Sequence, residues 1–155
     1  MLQRKVALIT GIGGQYGAYL AEFLINKGYR VRGILRRAII TNTQRINHLL
    51  KKYGEETEDS PLYLRYADLS DASSLRNILE EFQPDEVYNL ASQSHVGISF
   101  NNPTSTLDFN ALGPLRLLDA IKDMKLNCRF YQASSSEMFG VSPPPQNEET
   151  PFRPQ

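Results

Sequence analysis

"LITGIGGQYGAYLAEFL", residues 8–24, begins as an apolar run, turns through four glycines and closes in a helical pattern. Gly11, Gly14 and Gly17 form G-x-x-G-x-x-G directly after an expected strand and at the mouth of an expected helix. In that setting the first glycine permits a tight turn, the second lets the main chain approach a pyrophosphate, and the third lets helix and strand pack closely. The exposed N–H groups and the positive end of the helix then face an anion. The competing reading is a plain glycine-rich turn between strand and helix, and only the surrounding chain separates the two.

Outward from this stretch, short β-rich runs alternate with longer helical patterns along the whole chain, which predicts an α/β fold with a parallel sheet. Strands are expected at Val6–Thr10, Tyr29–Leu35, Leu62–Ala67, Glu86–Ala91 and Arg129–Ser134. "VALIT" and "VYNLA" read as central strands buried on both faces. The first helix is expected over Gln15–Lys27, with Leu20, Phe23 and Leu24 inward and Gly28 as its stop. Further helices are expected over Thr43–Tyr53, Ala72–Phe82 and Pro103–Met124. In the last, Leu107, Ala111, Leu115 and Leu118 recur at helical spacing, and Gly113-Pro114 should kink the middle. "KKYGEETEDSP", residues 51–61, reads as a solvated loop, since the alternation resumes in step after it. The last fifteen residues hold five of the nine prolines and no period, so the chain should finish in irregular structure.

The 155 residues suit one compact domain. Seventeen basic residues balance seventeen acidic ones, so no overall field draws in nucleic acid or an anionic membrane, and any ligand is recognised locally. The single cysteine, Cys128, excludes an internal disulfide and a multi-cysteine metal site, and it reads as a small buried hydrophobe. The apolar run before Gly11 is too short for a signal-peptide core or a membrane span, which makes a cytoplasmic location the default expectation. No metal site is expected, because no second histidine or cysteine stands at ligand spacing from His95. His95 itself is open to a base or ligand role and to a hydrogen-bonded structural or substrate-contacting one.

About twenty residues after the glycines, an NAD-binding chain places a carboxylate for the ribose 2′-hydroxyl. This chain has Arg36 and Arg37 there, whose planar donor forks suit a 2′-phosphate, so NADP is the expected cofactor; the alternative is a solvated basic face. Asp68, with Leu69 beside it, is placed to meet the adenine edge or to cap the next helix, and Ser70 or Asp71 can also serve as that cap. After the fourth strand "NLASQSHVGIS" lays small polar residues at the carboxyl end of the sheet, where open α/β sheets keep ligands. After the fifth, "QASSSEMFG" presents three serines and Glu137, a pairing of hydroxyl and carboxylate that suits substrate holding and proton transfer. Serines alone would be ordinary strand-end caps.

Through these residues the chain resembles the extended short-chain dehydrogenase/reductases and, within them, the GDP-mannose 4,6-dehydratase family. The resemblance runs through "TGIGGQYGAYLAEFL", "GILRR", "NTQRINHL", "ADLSD", "QPDEVYNLASQSHVGISF", "GPLRLLDAI", "FYQASSSEMFG" and "QNEETPFRP". It implies a Rossmann-like, doubly wound, three-layer parallel sheet, truncated after the fifth strand, with residues 1–155 as an incomplete NADP-binding domain that lacks the substrate part. It implies NADP-dependent conversion of GDP-mannose to the 4-keto-6-deoxy product by an internal redox cycle: oxidation at C4, removal of the C5 proton with loss of the C6 hydroxyl, and reduction at C6. Ser135 then stands where the family has a catalytic threonine holding the C4 oxygen, and Glu137 is the acid/base of the dehydration. Gly11, Ile12, Gly13, Gly14, Gln15, Tyr16, Gly17, Arg36, Arg37, Asp68, Leu69, Leu90, Ala91, Ser92, Gln93 and Ser94 fall on cofactor positions. The resemblance also implies a homo-oligomer for the full-length protein.

The chain departs from the family's pattern at several positions. Gly13 and Tyr16 replace a threonine and an aspartate, Ala38 and Ile39 replace serines after the two arginines, and Ser105 replaces a tyrosine. None of the eight tyrosines has a lysine four residues later, so the superfamily's Tyr-x-x-x-Lys pair is missing from these residues, and the chain alone is expected to be inactive. Two other readings compete: a non-catalytic dinucleotide-binding module, and another nucleotide-sugar epimerase or dehydratase.

Overall fold

The computed structural model describes residues 4–37, 43–53, 57 and 59–155. Ala38 and Ile39 lie outside the described residues, as do four positions of the 51–61 loop. Five parallel strands, β1 (Val6–Thr10), β2 (Arg30–Leu35), β3 (Leu62–Tyr66), β4 (Glu86–Asn89) and β5 (Arg129–Gln132), form one sheet in the order β3-β2-β1-β4-β5. All five residues of β1 are buried, as a central parallel strand requires. Ala7 and Ile9 enter one core with Ala18, Ala21 and Leu24 of α1 (Gln15–Asn26) and Leu49 of α2 (Asn47–Tyr53). Val6 and Leu8 enter the other with Leu75 and Leu79 of α3 (Ala72–Phe82) and Leu117 of α6 (Gly113–Asp123). The sheet is therefore the middle of three layers, a Rossmann-like arrangement. The chain winds outward from β1 to β3 and then crosses to β4, so the winding reverses between β1 and β4, where the carboxyl ends of the two strands open a crevice.

Several expectations are corrected. On α1 the inward stripe is Gly17, Ala18, Ala21, Leu24 and Ile25, while Phe23 is 54% exposed beneath the Lys27 ammonium. The helix expected over Thr43–Tyr53 is a 3-10 turn at Gln44–Ile46 followed by α2. The long helix expected from Pro103 is three pieces: α5 (Pro103–Leu107), a π-helical segment (Asp108–Leu112) and α6. Pro114 has no N–H to give, and the Gly113 N–H reaches back five residues to the Asp108 carbonyl, so the break falls where Gly113-Pro114 foretold. The leucine stripe of this helix faces outward: Leu115 is 58% exposed, with Leu107 and Leu118 also exposed, and the packed face is Gly113, Leu117 and Ala120. A short helix that the sequence pattern misses, α4 (Val96–Asn101), precedes α5.

The tail has no regular elements beyond a 3-10 turn at Ser136–Met138, yet it folds back on itself. Arg153 N–H donates to the Met138 carbonyl at 3.1 Å, and the Phe139 and Phe152 rings meet edge to face at 5.5 Å. Among the described residues no helix is long and apolar enough to cross a membrane, and no group of three or more His, Cys, Asp or Glu could hold a metal.

Candidate functional site

A cleft of about 760 Å³ opens at the carboxyl ends of β1, β2, β3 and β4. The turn after β1 forms its floor. Gly11 has φ +69, and a Cβ there would stand 2.9 Å from the Ala91 nitrogen, so the turn and the β4 loop approach as closely as only glycine allows. Gly17 does the same work from the helix: its missing side chain makes room for the Gly11 carbonyl, which also accepts the Gly14 N–H at 2.9 Å. The third glycine thus accommodates the turn itself more than the strand. The first-turn N–H groups of α1, which have no intrahelical acceptors, start from this turn.

Around the rim the structure distributes the expected residues unevenly. Gly11, Gly13, Gly14, Arg36, Asp68, Leu69, Leu90, Ala91, Ser92, Gln93 and Ser94 line the cleft. Ile12 is fully buried in the core below, Gly17 lies beneath the turn, and Tyr16 is 80% exposed and outside the cleft lining. Gln15 and Arg37 are exposed and lie outside the lining. The Arg36 guanidinium stands 5.8 Å from the centre of the Phe109 ring, which itself lines the cleft. Asp68 is not the cap of α3: Asp71 is, accepting from the Ser73 and Ser74 N–H groups, while Asp68 Oδ1 accepts from the Ser70 N–H and hydroxyl. Ser105 lines the cleft as well.

Three polar residues that sequence reasoning missed hold the strand ends together. Thr10, Asn89 and Gln132 are in register across β1, β4 and β5. The Thr10 hydroxyl donates to Asn89 Oδ1 at 2.5 Å and accepts the N–H groups of Leu90 and Ala91, and Asn89 Nδ2 donates to Gln132 Oε1 at 2.8 Å. Because Leu90 and Ala91 bond to a side chain, β4 ends at Asn89 rather than at Ala91, and β5 correspondingly ends at Gln132 rather than Ser134. The signal was present: a polar residue closes each of the three strands.

Asn110, on the π-helical segment, was also missed. Its side-chain amide pairs with the Gln93 backbone in both directions, accepting the N–H and donating to the carbonyl at 2.8 Å each. The Gln93 side chain then accepts the His95 N–H and donates to the His95 carbonyl and the Thr106 hydroxyl. His95 caps α4, with Nδ1 accepting the Ile98 N–H at 3.3 Å, so a structural hydrogen bond accounts for it.

Ser135 and Glu137 follow β5 at the same edge of the sheet but outside the cleft lining. Ser135 Oγ accepts the Glu137 N–H at 3.1 Å, and the Ser136 hydroxyl donates to the Glu137 carboxylate at 3.2 Å. Both residues are solvent-exposed. The amino end of the sheet carries a different polar group, around Glu86 at the start of β4. Burial pushes the Glu86 carboxyl up, but hydrogen bonds from Tyr88 and Tyr29 and the Lys5 charge outweigh it and leave the group below the usual carboxylate range. Burial and the Glu86 contact push Tyr88 up to about 12.

Solved structures share this frame. UDP-glucose 4-epimerase from Bifidobacterium longum, in complex with NAD⁺ and UDP, superposes with a TM-score of 0.81 at 24% identity, covering 96% of this chain and 43% of that one. Another UDP-glucose 4-epimerase gives 0.77 at 24%, covering 97% and 42%. The fold is thus shared with these two epimerases. The GDP-mannose 4,6 dehydratase family model matches residues 8–155, and the chain belongs to that family. It is 54% identical to GDP-mannose 4,6 dehydratase 2 of Arabidopsis thaliana over 155 residues, and 56% identical to the GDP-mannose 4,6-dehydratase of Vibrio cholerae serotype O1 over 156. These alignments cover 97% and 99% of the chain but 41% of each relative, so the chain spans well under half of the curated relatives it matches.

Proposed function

We propose that residues 1–155 are the NADP-binding domain of a GDP-mannose 4,6-dehydratase, a lyase of nucleotide-sugar metabolism that acts in the cytoplasm as a homo-oligomer. The observation that carries the reading is the family match over a chain whose cleft, at the reversal of the strand winding, joins a glycine turn to Arg36. The residues fit the cofactor: a turn open to pyrophosphate, a guanidinium at the second strand's end where a 2′-phosphate needs a cation, and Asp68 with Leu69 at the adenine end. NADP, when bound, supplies a two-electron acceptor and donor.

In this reading Ser135 holds the C4 oxygen of the mannosyl ring, and Glu137 takes the C5 proton and delivers a proton to the departing C6 hydroxyl. The turn of Gly11, Ile12, Gly13, Gly14, Gln15, Tyr16 and Gly17 serves the diphosphate through its main chain, Arg36 at the rim and the exposed Arg37 beside it serve the 2′-phosphate, and Leu90, Ala91, Ser92, Gln93 and Ser94 serve the nicotinamide side. The reading also holds that the 155 residues alone yield no product, since they carry no Tyr-x-x-x-Lys pair. The test uses a longer version that includes the remainder of the relatives' length. Glu137→Gln there abolishes formation of the 4-keto-6-deoxy sugar nucleotide while leaving NADP affinity intact; unchanged product formation rejects the role.

A further inference from the structure

The loop after β3 supplies one wall of the cleft. Among the described residues β3 is an edge strand of the sheet, and its loop supplies Asp68 and Leu69 to the lining. Leu69 is nevertheless only 5% exposed, and its support comes from the other half of the chain. Arg116, on α6, sends Nη1 to the Leu69 carbonyl at 3.0 Å and Nη2 to Asp108 Oδ1 at 2.6 Å. Asp108 opens the π-helical segment and stands eight residues before Arg116, beyond the reach of an ordinary i,i+4 pair. Helical side chains lean toward the N-terminus, so the Arg116 stem runs back past the π-helical segment; the Asp108 carboxylate holds Nη2, while Nη1 donates to the Leu69 carbonyl and, at 3.4 Å, to the Asp108 carbonyl. Beneath the same leucine lies Gly113, where a Cβ would come within 3.0 Å of the Leu69 Cβ. The loop is therefore tied at its carbonyl and seated at its side chain by one stretch of helix.

We propose that Arg116 is a positioning residue for the adenine half of the cleft, acting through the Leu69 carbonyl, with Asp108 orienting its guanidinium. This rests on the dinucleotide reading above. Lysine is no substitute at this position, because it keeps the charge but offers no planar fork that spans two acceptors at once. Of the cleft's loops Arg116 bonds directly to the β3 loop, whereas the nicotinamide side is bonded by Asn110 on Gln93 and by Thr10 on Leu90 and Ala91. Loss of Arg116 should therefore be felt by one half of the ligand and not the other.

The experiment measures binding of the two halves to the 155-residue chain: adenosine 2′,5′-bisphosphate by calorimetry and nicotinamide mononucleotide by NMR titration. Wild type is compared with Arg116→Ala, Arg116→Lys and Asp108→Asn, and thermal melts accompany each. The expected result is about tenfold weaker bisphosphate binding for Arg116→Ala, about fivefold for Arg116→Lys and a smaller loss for Asp108→Asn, with mononucleotide affinity within about twofold throughout. Should Arg116→Ala fail to fold, the lysine and asparagine variants carry the comparison. Equal weakening of both halves, or no weakening of the bisphosphate in variants that fold, overturns the positioning role alone. A wild-type chain that binds neither half overturns the dinucleotide reading, and this inference with it.

Discussion

Thr10 is a buried hydroxyl with three partners, and each partner belongs to the β4 end of the cleft. Thr10→Val keeps the shape but leaves the N–H groups of Leu90 and Ala91 without their acceptor. The expected cost is about 2–4 kcal/mol in denaturant unfolding, since each unsatisfied buried polar group costs ~1–3 kcal/mol. The Glu86 group makes a pH prediction. Its folded pKa lies below its unfolded value, so its contribution is present above the unfolded pKa and is lost as pH falls through the folded one. Glu86→Gln should therefore narrow the difference in urea midpoint between neutral and acid pH. Tyr88 has the opposite sign: its folded pKa of about 12 exceeds its ordinary value of 10.0, so its contribution is lost as pH rises from 10 toward 12, and Tyr88→Phe should flatten that alkaline limb. At this scale the sequence revealed residues whose neighbours are close along the chain, such as Asp71 beside its helix. Thr10, Asn89 and Gln132 each look like an ordinary strand end, and their bonding exists only once parallel pairing sets them in register.

Among the elements, β1 and α3 begin and end where pattern and capping place them, because a buried apolar run closed by Thr10 and an Asp cap are strong local signals. α4 went unread because it is six residues long, contains a glycine and buries nothing; its His95 cap and its neighbour α5 support it. The leucines of α6 misled for another reason: periodicity reports that a helix has an apolar face, and here a second face of small residues and Leu117 takes the sheet. Leu117→Ala should cost about 2–5 kcal/mol in denaturant unfolding of this chain, whereas Leu115→Gln should fall within about 0.5 kcal/mol of wild type. A reversed order would mean that α6 sits in the other rotation.

For the whole molecule, the alternation of strands and helices and the glycine spacing were enough to reach the parallel sheet and the place of its cleft. The family follows from the match over residues 8–155, and the proposed nucleotide preference rests on Arg36 at the rim. What sequence alone did not disclose is how the cleft is held: three consecutive residues of one π-helical segment reach three different loops. Asp108 acts through Arg116 on the β3 loop, Phe109 meets Arg36 after β2, and Asn110 pairs with Gln93 after β4. That hub depends on a helical break whose carriers, Gly113 and Pro114, were legible but whose consequence is three-dimensional. The most direct test of the cofactor assignment is calorimetric titration of the 155-residue chain with NADP and with NAD, repeated with Arg36→Ala. NADP should bind at least about tenfold tighter than NAD, and Arg36→Ala should remove most of the difference. Equal affinities in the wild-type chain, or a preference for NAD, would contradict it.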